Sequence, residues 1–307
     1  MDRNLQRKTI LNALPFFQNI KNALTAGGTG GLTWHLHAAL SKKQWLRTQD
    51  QIQAHLYKGL EMWTRTHLEE GRSLAQLEST RELVLIGASA GWMMSTPWLE
   101  EFTSIDAYDI DPLAPILFKL NHGKALQQKK IAVRFHNLDA IDQLDRVLNR
   151  HPRALIWFDN VLGQHRIRLK DSELASAQLK ILQRRLQGRF WGSVHDLYSG
   201  PVLGAVEDQI SKSTKTLSTK SAEVIRLDNS DQDSARVRFN GVETNLGQAR
   251  QQFLHNLGAT PAGGAWLDHE TSKVFPQGTQ LIWTGWDFKP SYCHCLEMGW
   301  WDGGMVG

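Results

Sequence analysis

The 307-residue chain has 41% hydrophobic residues and a formal net charge of +4. This length can form one large domain, or a domain with an appendage. No stretch has the roughly 18 uncharged apolar residues that span a bilayer, and no secretory apolar core follows residues 1–8, so we expect a cytoplasmic protein without a membrane partner. The mildly basic balance permits an anionic substrate and does not demand nucleic acid.

Residues 1–80 have the hydrophobic spacing of helices. Apolar side chains recur every three to four positions at Leu11, Leu14 and Phe17, and again at Ile52, Leu56, Leu60 and Trp63. Between the two helical segments lies a glycine-rich segment, residues 26–31, which cannot hold a regular element without an entropic cost. Two interpretations stay open for this segment: a mobile lid over a ligand, or a plain loop between helices.

The stretch from 83 to 111 is typical of a nucleotide-binding βαβ unit. An apolar run, Leu83 to Ile86, enters a turn of small residues that ends at Gly91, and a second apolar run ends at Asp109 and Asp111. About 20 positions separate turn and acid in such units. The turn lets backbone N–H groups approach a ligand, and the carboxylate can accept hydrogen bonds from ribose hydroxyls.

Three ligand classes use this layout. A short-chain dehydrogenase needs Tyr-x-x-x-Lys, and none of the four tyrosines has Lys four positions on, so nicotinamide cofactors are disfavoured. A phosphate-binding P-loop needs Gly-Lys-Ser/Thr, which does not follow Gly91. S-adenosylmethionine (SAM) carries no phosphate and needs only a small-residue turn and an acid. An ordinary βαβ unit whose turn only packs helix on strand remains the alternative.

Strands and helices alternate between residues 81 and 200. Strands are predicted at 83–87, 105–109, 131–136, 154–159 and 189–195, with helices near 92–102, 113–127, 140–149 and 172–187. This alternation predicts an α/β fold with a doubly wound, mostly parallel, Rossmann-like sheet. Ligands bind such sheets at the carboxyl ends of the strands, where the sequence places Gly87, Asp109, Asp139, Asp159, His195 and Asp196.

The last third of the chain predicts further strands. A polar connection at 204–221 precedes short strands at 222–228 and 235–245, the second interrupted by an Asn-Gly turn. A helix at 248–257 follows, and residues 279–286 and 292–300 predict an antiparallel hairpin. Cys293 and Cys295 flank His294 in this hairpin; metal binding there lacks a fourth ligand, and we interpret the cysteines as small buried residues.

These segments resemble the class I SAM-dependent methyltransferases. Residues 83–91 resemble the first motif of that family, 108–112 the second, 134–139 the third strand and its exit, and 154–164 the fourth strand and the loop under the reactive methyl group. The resemblance covers about 80–200 and, more weakly, the hairpin near 279–300. It implies a SAM-binding domain at 81–307, with a β-rich insertion near 222–245, and an N-terminal helical cap at 1–80.

The resemblance also implies site residues. Cofactor binding is expected at Gly87, Ala88, Ser89, Gly91, Asp109, Ile110, Asn137, Leu138, Asp139 and Asp159. Catalysis is expected from Asp159, Asn160, His165 and His195. Trp34, His35 and Asn160 are the expected substrate contacts, and no metal is expected.

Three functions stay open. The first is methyl transfer from SAM to an oxygen or nitrogen of a small-molecule acceptor. The second is an RNA or protein methyltransferase that uses the basic residues between 150 and 190, although nucleic acid is not favoured. The third is a non-catalytic SAM- or nucleotide-binding subunit, because Leu85 and Ser89 stand where the family has an acid and a glycine. The sequence leaves the oligomeric state open.

Overall fold

The computed structural model describes residues 42–164, 171–202, 221–228, 233–259, 266–289 and 291–303. Its helices are α1 (Lys42–Glu69), α2 (Leu74–Thr80), α3 (Thr96–Leu99), α4 (Ala114–Phe118), α5 (Lys124–Gln128), α6 (Leu144–Arg150), α7 (Ser172–Arg185) and α8 (Leu246–Asn256), with a π-helical turn, Lys119–Gly123, between α4 and α5. Its strands are β1 (Glu82–Ile86), β2 (Ser104–Asp109), β3 (Ala132–Asn137), β4 (Leu155–Asp159), β5 (Trp191–Pro201), β6 (Ser221–Arg226), β7 (Arg236–Phe239), β8 (Val242–Asn245), β9 (Leu267–Asp268), β10 (Gln280–Lys289) and β11 (Tyr292–Trp301).

The first five strands form a parallel half-sheet in the order β3-β2-β1-β4-β5. The chain runs outward from β1 to β2 and β3, then crosses back to place β4 on the other side of β1. The strand order therefore switches between β1 and β4. A crevice forms at the carboxyl ends of the strands at such a switch, and ligands of open α/β sheets bind there.

The other half of the sheet is antiparallel. Strand β11 pairs with β5 and with β10, and β6, β7 and β8 continue the sheet outward, while the short β9 also pairs with β5. The predicted α/β class, the Rossmann-like parallel sheet and its antiparallel closing hairpin are confirmed. The second predicted short strand is split into β7 and β8 by a turn at Asn240 and Gly241, both with positive φ.

Side-chain alternation along the strands produces two hydrophobic cores. Leu83 and Leu85 pack on one face of the sheet with Ile52 and Leu56 of α1, and we call this the α1 face. Val84 and Ile86 pack on the opposite, α7 face with residues of α7 and α8. Because β1 buries both of its faces, its sequence is a continuous apolar run, as is typical of a central parallel strand.

Polar residues set several helix starts. Ser73 and Gln76 form a reciprocal capping box at the start of α2, and the Asp171 carboxylate accepts the Leu174 N–H to begin α7. The Asn245 side chain accepts the Gln248 N–H at the start of α8. None of the helices in the described ranges is long and apolar enough to cross a membrane.

Trp300 of β11 fixes α1 to the sheet. The indole N–H donates to the His55 carbonyl at 2.9 Å, and the ring packs 4.7 Å from the Trp157 ring. Two glycines make room for it, because a Cβ at Gly59 would lie 1.9 Å from the indole and a Cβ at Gly192 2.4 Å from it. Residues 1–41 lie outside the described ranges, so the N-terminal cap stays a prediction.

Gly59→Ala tests this anchor. Alanine normally favours a helix over glycine by about 1 kcal/mol, but here the added methyl group overlaps the Trp300 ring. We expect the free energy of unfolding to fall by about 1–3 kcal/mol, measured by urea denaturation.

The matched control is Gly123→Ala in the π-helical turn. A Cβ at Gly123 would have the Lys119 Cβ of the same turn as its nearest neighbour, at 3.4 Å. This variant should be neutral or slightly stabilising. An equal response of both variants would contradict the proposed packing of Trp300.

Candidate functional site

The turn after β1 lies against the exit of β4. Gly87, Ser89 and Gly91 all have positive φ, at 79°, 44° and 70°. A Cβ at Gly87 would lie 2.9 Å from both the Asp159 carbonyl oxygen and the Val161 side chain. The turn therefore needs glycine at this position for its conformation and for its contact with β4, while Ala88, fully buried, packs in the α1-face core.

Asp109, at the end of β2, is hydrogen-bonded to the β1 turn. One carboxylate oxygen accepts the Ser89 N–H at 2.6 Å, and the other accepts the Asp111 N–H at 2.7 Å. Ile110, the next residue, leaves 46% of its surface exposed beside this carboxylate.

The residues after β3 support the neighbouring turns. The Asn137 side-chain amide donates to the carbonyls of Asp109 and Ile110, both at 3.1 Å. The Asp139 carboxylate accepts the Ile141 N–H at 3.0 Å, and Leu138 packs against the α7-face core. Asn137 thus contacts the exit of β2, whereas Asp139 stabilises its own turn.

The π-helical turn contributes two residues that sequence reasoning missed. The Asn121 amide donates to the Ala90 carbonyl at 2.6 Å, and His122 Nε2 lies 3.1 Å from the Gly91 carbonyl. Because a carbonyl only accepts, His122 is protonated on Nε2, and Nδ1 accepts from the Thr96 hydroxyl at 2.8 Å. Burial lowers the pKa of His122, which favours this neutral form. Hydrophobic spacing carries no signal for a π-turn, so the sequence did not reveal these contacts.

Asp159 ends β4 as a buried carboxyl group at the switch in strand order. It is 8% exposed, and no described group lies in hydrogen-bonding geometry with its Oδ1. Burial raises its pKa to about 8; the Trp157 side chain acts against this rise, and the negative charge of Asp109 acts with it. At neutral pH the group is therefore mostly protonated, and a cationic ligand would favour its charged form.

Asn160 ties the exit of β4 to β5. It has a positive φ of 55°, its backbone N–H donates to the Val194 carbonyl at 2.8 Å, and its side-chain oxygen accepts the Asp196 N–H at 3.1 Å. The side-chain oxygen predicted to contact substrate thus bonds the backbone of the neighbouring strand.

His195 faces the opposite side of the sheet from Asp159, on the α7 face. The imidazole is fully buried, with Nδ1 2.9 Å from the Ser193 hydroxyl and Nε2 3.4 Å from Glu297 Oε1. Its role as a base stays a prediction, since no atom of it reaches the surface. The other predicted residues, Trp34, His35 and His165, lie outside the described ranges.

Most of the described candidates thus form one group at the carboxyl edge of β1, β2 and β4. It comprises the glycine-rich turn, Asp109, Ile110, Asn137, Asp159 and Asn160. Three described candidates do not belong to this group: Leu138 packs against the α7-face core, the Asp139 carboxylate stabilises its own turn, and His195 is buried on the α7 face.

No model of a known protein family matches the chain, and no curated protein matches it. Among solved structures, the chain is similar to cofactor-bound Rv0187 from MTB, with 15% identity, 74% of this chain and 80% of that chain covered, and a TM-score of 0.29. A candidate methyltransferase from Bacillus halodurans shows 9% identity over 80% and 97% of the two chains, with a TM-score of 0.33. N-methyltransferase NodS from Bradyrhizobium japonicum, in complex with S-adenosyl-L-homocysteine, shows 17% identity over 69% and 91%, with a TM-score of 0.27. Likenesses at these scores assign no family to the chain.

The raised pKa of Asp159 predicts a pH dependence of stability. In the unfolded chain this group titrates near 3.8, so between pH 4 and 8 the folded protein holds a proton that the unfolded chain has lost. The stabilisation is complete below pH 4 and is lost as the pH rises toward 8, by at most about 1.4 kcal/mol per pH unit.

Asp159→Asn removes this titration. We expect the unfolding free energy of the wild type, relative to that of the variant, to fall as the pH rises from 4 to 8 and then to level off. Urea denaturation of both proteins across this range measures the difference. A difference that is constant with pH would show that Asp159 titrates normally.

Proposed function

We propose that the chain binds SAM and transfers its methyl group to an oxygen or nitrogen of a small-molecule acceptor. The observation that carries this proposal is the buried Asp159 carboxyl group at the switch between β1 and β4. No described group is in hydrogen-bonding geometry with its Oδ1, and the Trp157 side chain offsets the effect of burial on its pKa only in part. A buried polar atom without a partner is costly, so it points to a ligand donor at this position.

The neighbouring residues suit the parts of SAM. Small residues from Gly87 to Gly91 leave room for the amino-acid end, and the Asp109 carboxylate, which the Ser89 N–H holds beside this turn, is an acceptor for the ribose hydroxyls. The exposed side chain of Ile110 offers an apolar contact for the adenine ring. The positive charge of the ligand stabilises the carboxylate of Asp159, which burial otherwise disfavours.

Asp159 is also the best-placed general base. When bound, SAM supplies an electrophilic methyl group, and the acceptor atom that gains this methyl group loses a proton. The Asp159 carboxylate can take that proton because its pKa of about 8 is close to neutral pH.

Among the described residues between 150 and 190, the placement of the arginines favours a small-molecule acceptor over RNA. Each of five arginines ends the helix, or lies in the connection, that precedes β4 or β5: Arg150, Arg153, Arg184, Arg185 and Arg189. They therefore lie toward the amino ends of the strands, whereas the candidate site lies at the carboxyl ends. A polyanion bound by these arginines alone would therefore lie at the opposite end of the strands from Asp159.

Calorimetric titration with S-adenosylhomocysteine tests the cofactor, with NAD and NADP as the comparison ligands. We expect binding of S-adenosylhomocysteine alone. Because its amino group is cationic, binding at pH 7 should release a proton from Asp159, seen as a heat that depends on the ionisation enthalpy of the buffer. Asp159→Asn should abolish this release. Binding of NAD or NADP, or no binding, would overturn the proposal.

Asp109→Ala tests the ribose contact. Loss of a buried hydrogen bond to the ribose should weaken S-adenosylhomocysteine binding by about 1–3 kcal/mol. Because this carboxylate also accepts the Ser89 N–H, thermal unfolding must verify that the variant is folded. Asp142→Ala, at an exposed acid near β3, is the matched control and should bind as the wild type does. Unchanged affinity in a folded Asp109→Ala would remove this residue from the site.

A further inference from the structure

Strand β5 carries a bulge next to the candidate site. Leu296 of β11 pairs with Asp196, but the preceding Cys295 pairs with Tyr198, so Leu197 is the extra residue. Ordinary alternation would turn residues 196 and 199 to opposite faces of the sheet. The bulge instead turns Asp196 and Ser199 to the same α1 face, and such re-aiming is typical of bulges near active sites.

The segment that follows β9 binds to this bulge. The His269 backbone N–H donates to the Leu197 carbonyl at 3.1 Å, and the Thr271 hydroxyl donates to the Asp196 carbonyl at 2.8 Å. These two bonds fix the position of His269, which is 2% exposed. These bonds thereby bring His269, which follows Asp196 by 73 positions in the chain, close to the Asp196 side chain.

His294 of β11 completes the group from the other side. It pairs with Ser199, and its Nδ1 lies 2.9 Å from Asp196 Oδ1. Its neighbours Cys293 and Cys295 belong to the core of the α7 face, so the thiols of the Cys-His-Cys sequence lie on the opposite side of the sheet. One ligand atom each from Asp196, His269 and His294 lies within 4.8 Å of the other two.

The hydrogen bonds of His269 are those of a metal ligand. Its Nδ1 lies 2.8 Å from the Gly163 carbonyl, so Nδ1 carries the proton and Nε2 has a lone pair, which faces the Ser199 hydroxyl at 3.0 Å. Metal-binding histidines generally donate their other ring N–H to a carbonyl or carboxylate in this way. Although burial opposes ionisation of Asp196, the charge of His294 holds the pKa of this carboxyl group below its usual value.

We propose that Asp196, His269 and His294 bind a divalent first-row transition-metal ion. Two imidazoles and one carboxylate suit zinc, iron, cobalt or manganese, whereas magnesium and calcium prefer oxygen ligands. Ligand atoms at about 2.0–2.2 Å from an ion lie about 3–4 Å apart, so small side-chain rotations close the site. Three protein ligands leave coordination positions open, as in a catalytic rather than a structural site.

The open coordination positions of the ion would lie beside the methyl acceptor. Asp196 and Asp159 are on the α1 face of adjacent strands, at the same edge, since Asp159 pairs with Val194. An acceptor oxygen bound to the ion would be held next to Asp159. The ion would favour the deprotonated form of this acceptor oxygen. This extension to the acceptor rests on the proposed function, whereas the metal site itself does not.

The test measures metal binding without cofactor or acceptor. The tag-free chain is treated with a chelator, dialysed, and titrated calorimetrically with Zn²⁺ and with Mg²⁺; Co²⁺ is followed by its visible absorption. We expect one Zn²⁺ per chain and Co²⁺ absorption in the visible range, with Mg²⁺ binding much weaker. His269→Ala and His294→Gln should each weaken Zn²⁺ binding about 100-fold or more.

His255→Ala is the matched control, because it removes an exposed histidine of α8 outside the group. It should bind Zn²⁺ as the wild type does. Circular dichroism verifies folding, and if His269→Ala does not fold, His294→Gln decides, since the His294 side chain is partly exposed. Absence of Zn²⁺ binding, or equal affinity in wild type and folded ligand variants, would overturn the metal site. Zn²⁺ binding without S-adenosylhomocysteine binding would overturn the proposed function alone.

Discussion

Strand β5 is hydrogen-bonded along both edges, to β4 in parallel and to β11 in antiparallel orientation. Ten of its eleven residues are buried. The pairing with β4 gives Asp159 its neighbour Val194, and the pairing with β11 brings His294 to Asp196. Both polar groups at the carboxyl edge therefore depend on the register of this one strand. A shift by one residue would turn Asp196 toward the α7-face core.

The register of β5 places charged and polar side chains at buried positions, where they contribute little to the stability of the fold. Asp159 is buried, and no described group is in hydrogen-bonding geometry with its Oδ1. Because burial raises its pKa to about 8, this group lowers the stability of the fold at every pH at which it is ionised in the unfolded chain, that is, above about pH 4. His195 and Glu297, on the α7 face, also leave one buried atom each without a hydrogen-bond partner among the described residues, but these two atoms lie 3.4 Å from each other, and Ser193 and Trp283 form hydrogen bonds with the other atoms of the two side chains. Asp159 lies at an edge that a ligand can reach, which explains why a binding role fits it better than a packing role.

Local patterns predicted the parallel half of the fold and the first part of the site. The apolar run before Gly87 and the acid at Asp109 are 22 positions apart along one βαβ unit, so sequence spacing is enough to bring them together. The bulge at Leu197 and the approach of His269 and His294 to Asp196 involve residues 73 and 98 positions apart. No periodicity records such pairings, and His294 between two cysteines drew attention to the thiols rather than to the imidazole.

The loop after β4 joins the two proposed sites. The Asn160 side-chain oxygen accepts the Asp196 N–H, and the Gly163 carbonyl accepts the His269 Nδ1–H. A Cβ at Gly163 would lie 2.6 Å from the Asp196 nitrogen, so this loop can rest on β5 only with glycine there. On its other side, the Asp159 carbonyl contacts the turn at Gly87. Because the short segment after β4 contacts the turn at Gly87, carries the Asp159 carboxyl group and supports the proposed metal ligands, an ion at Asp196 and a ligand at Gly87 would each restrict the same segment, and their binding would be coupled.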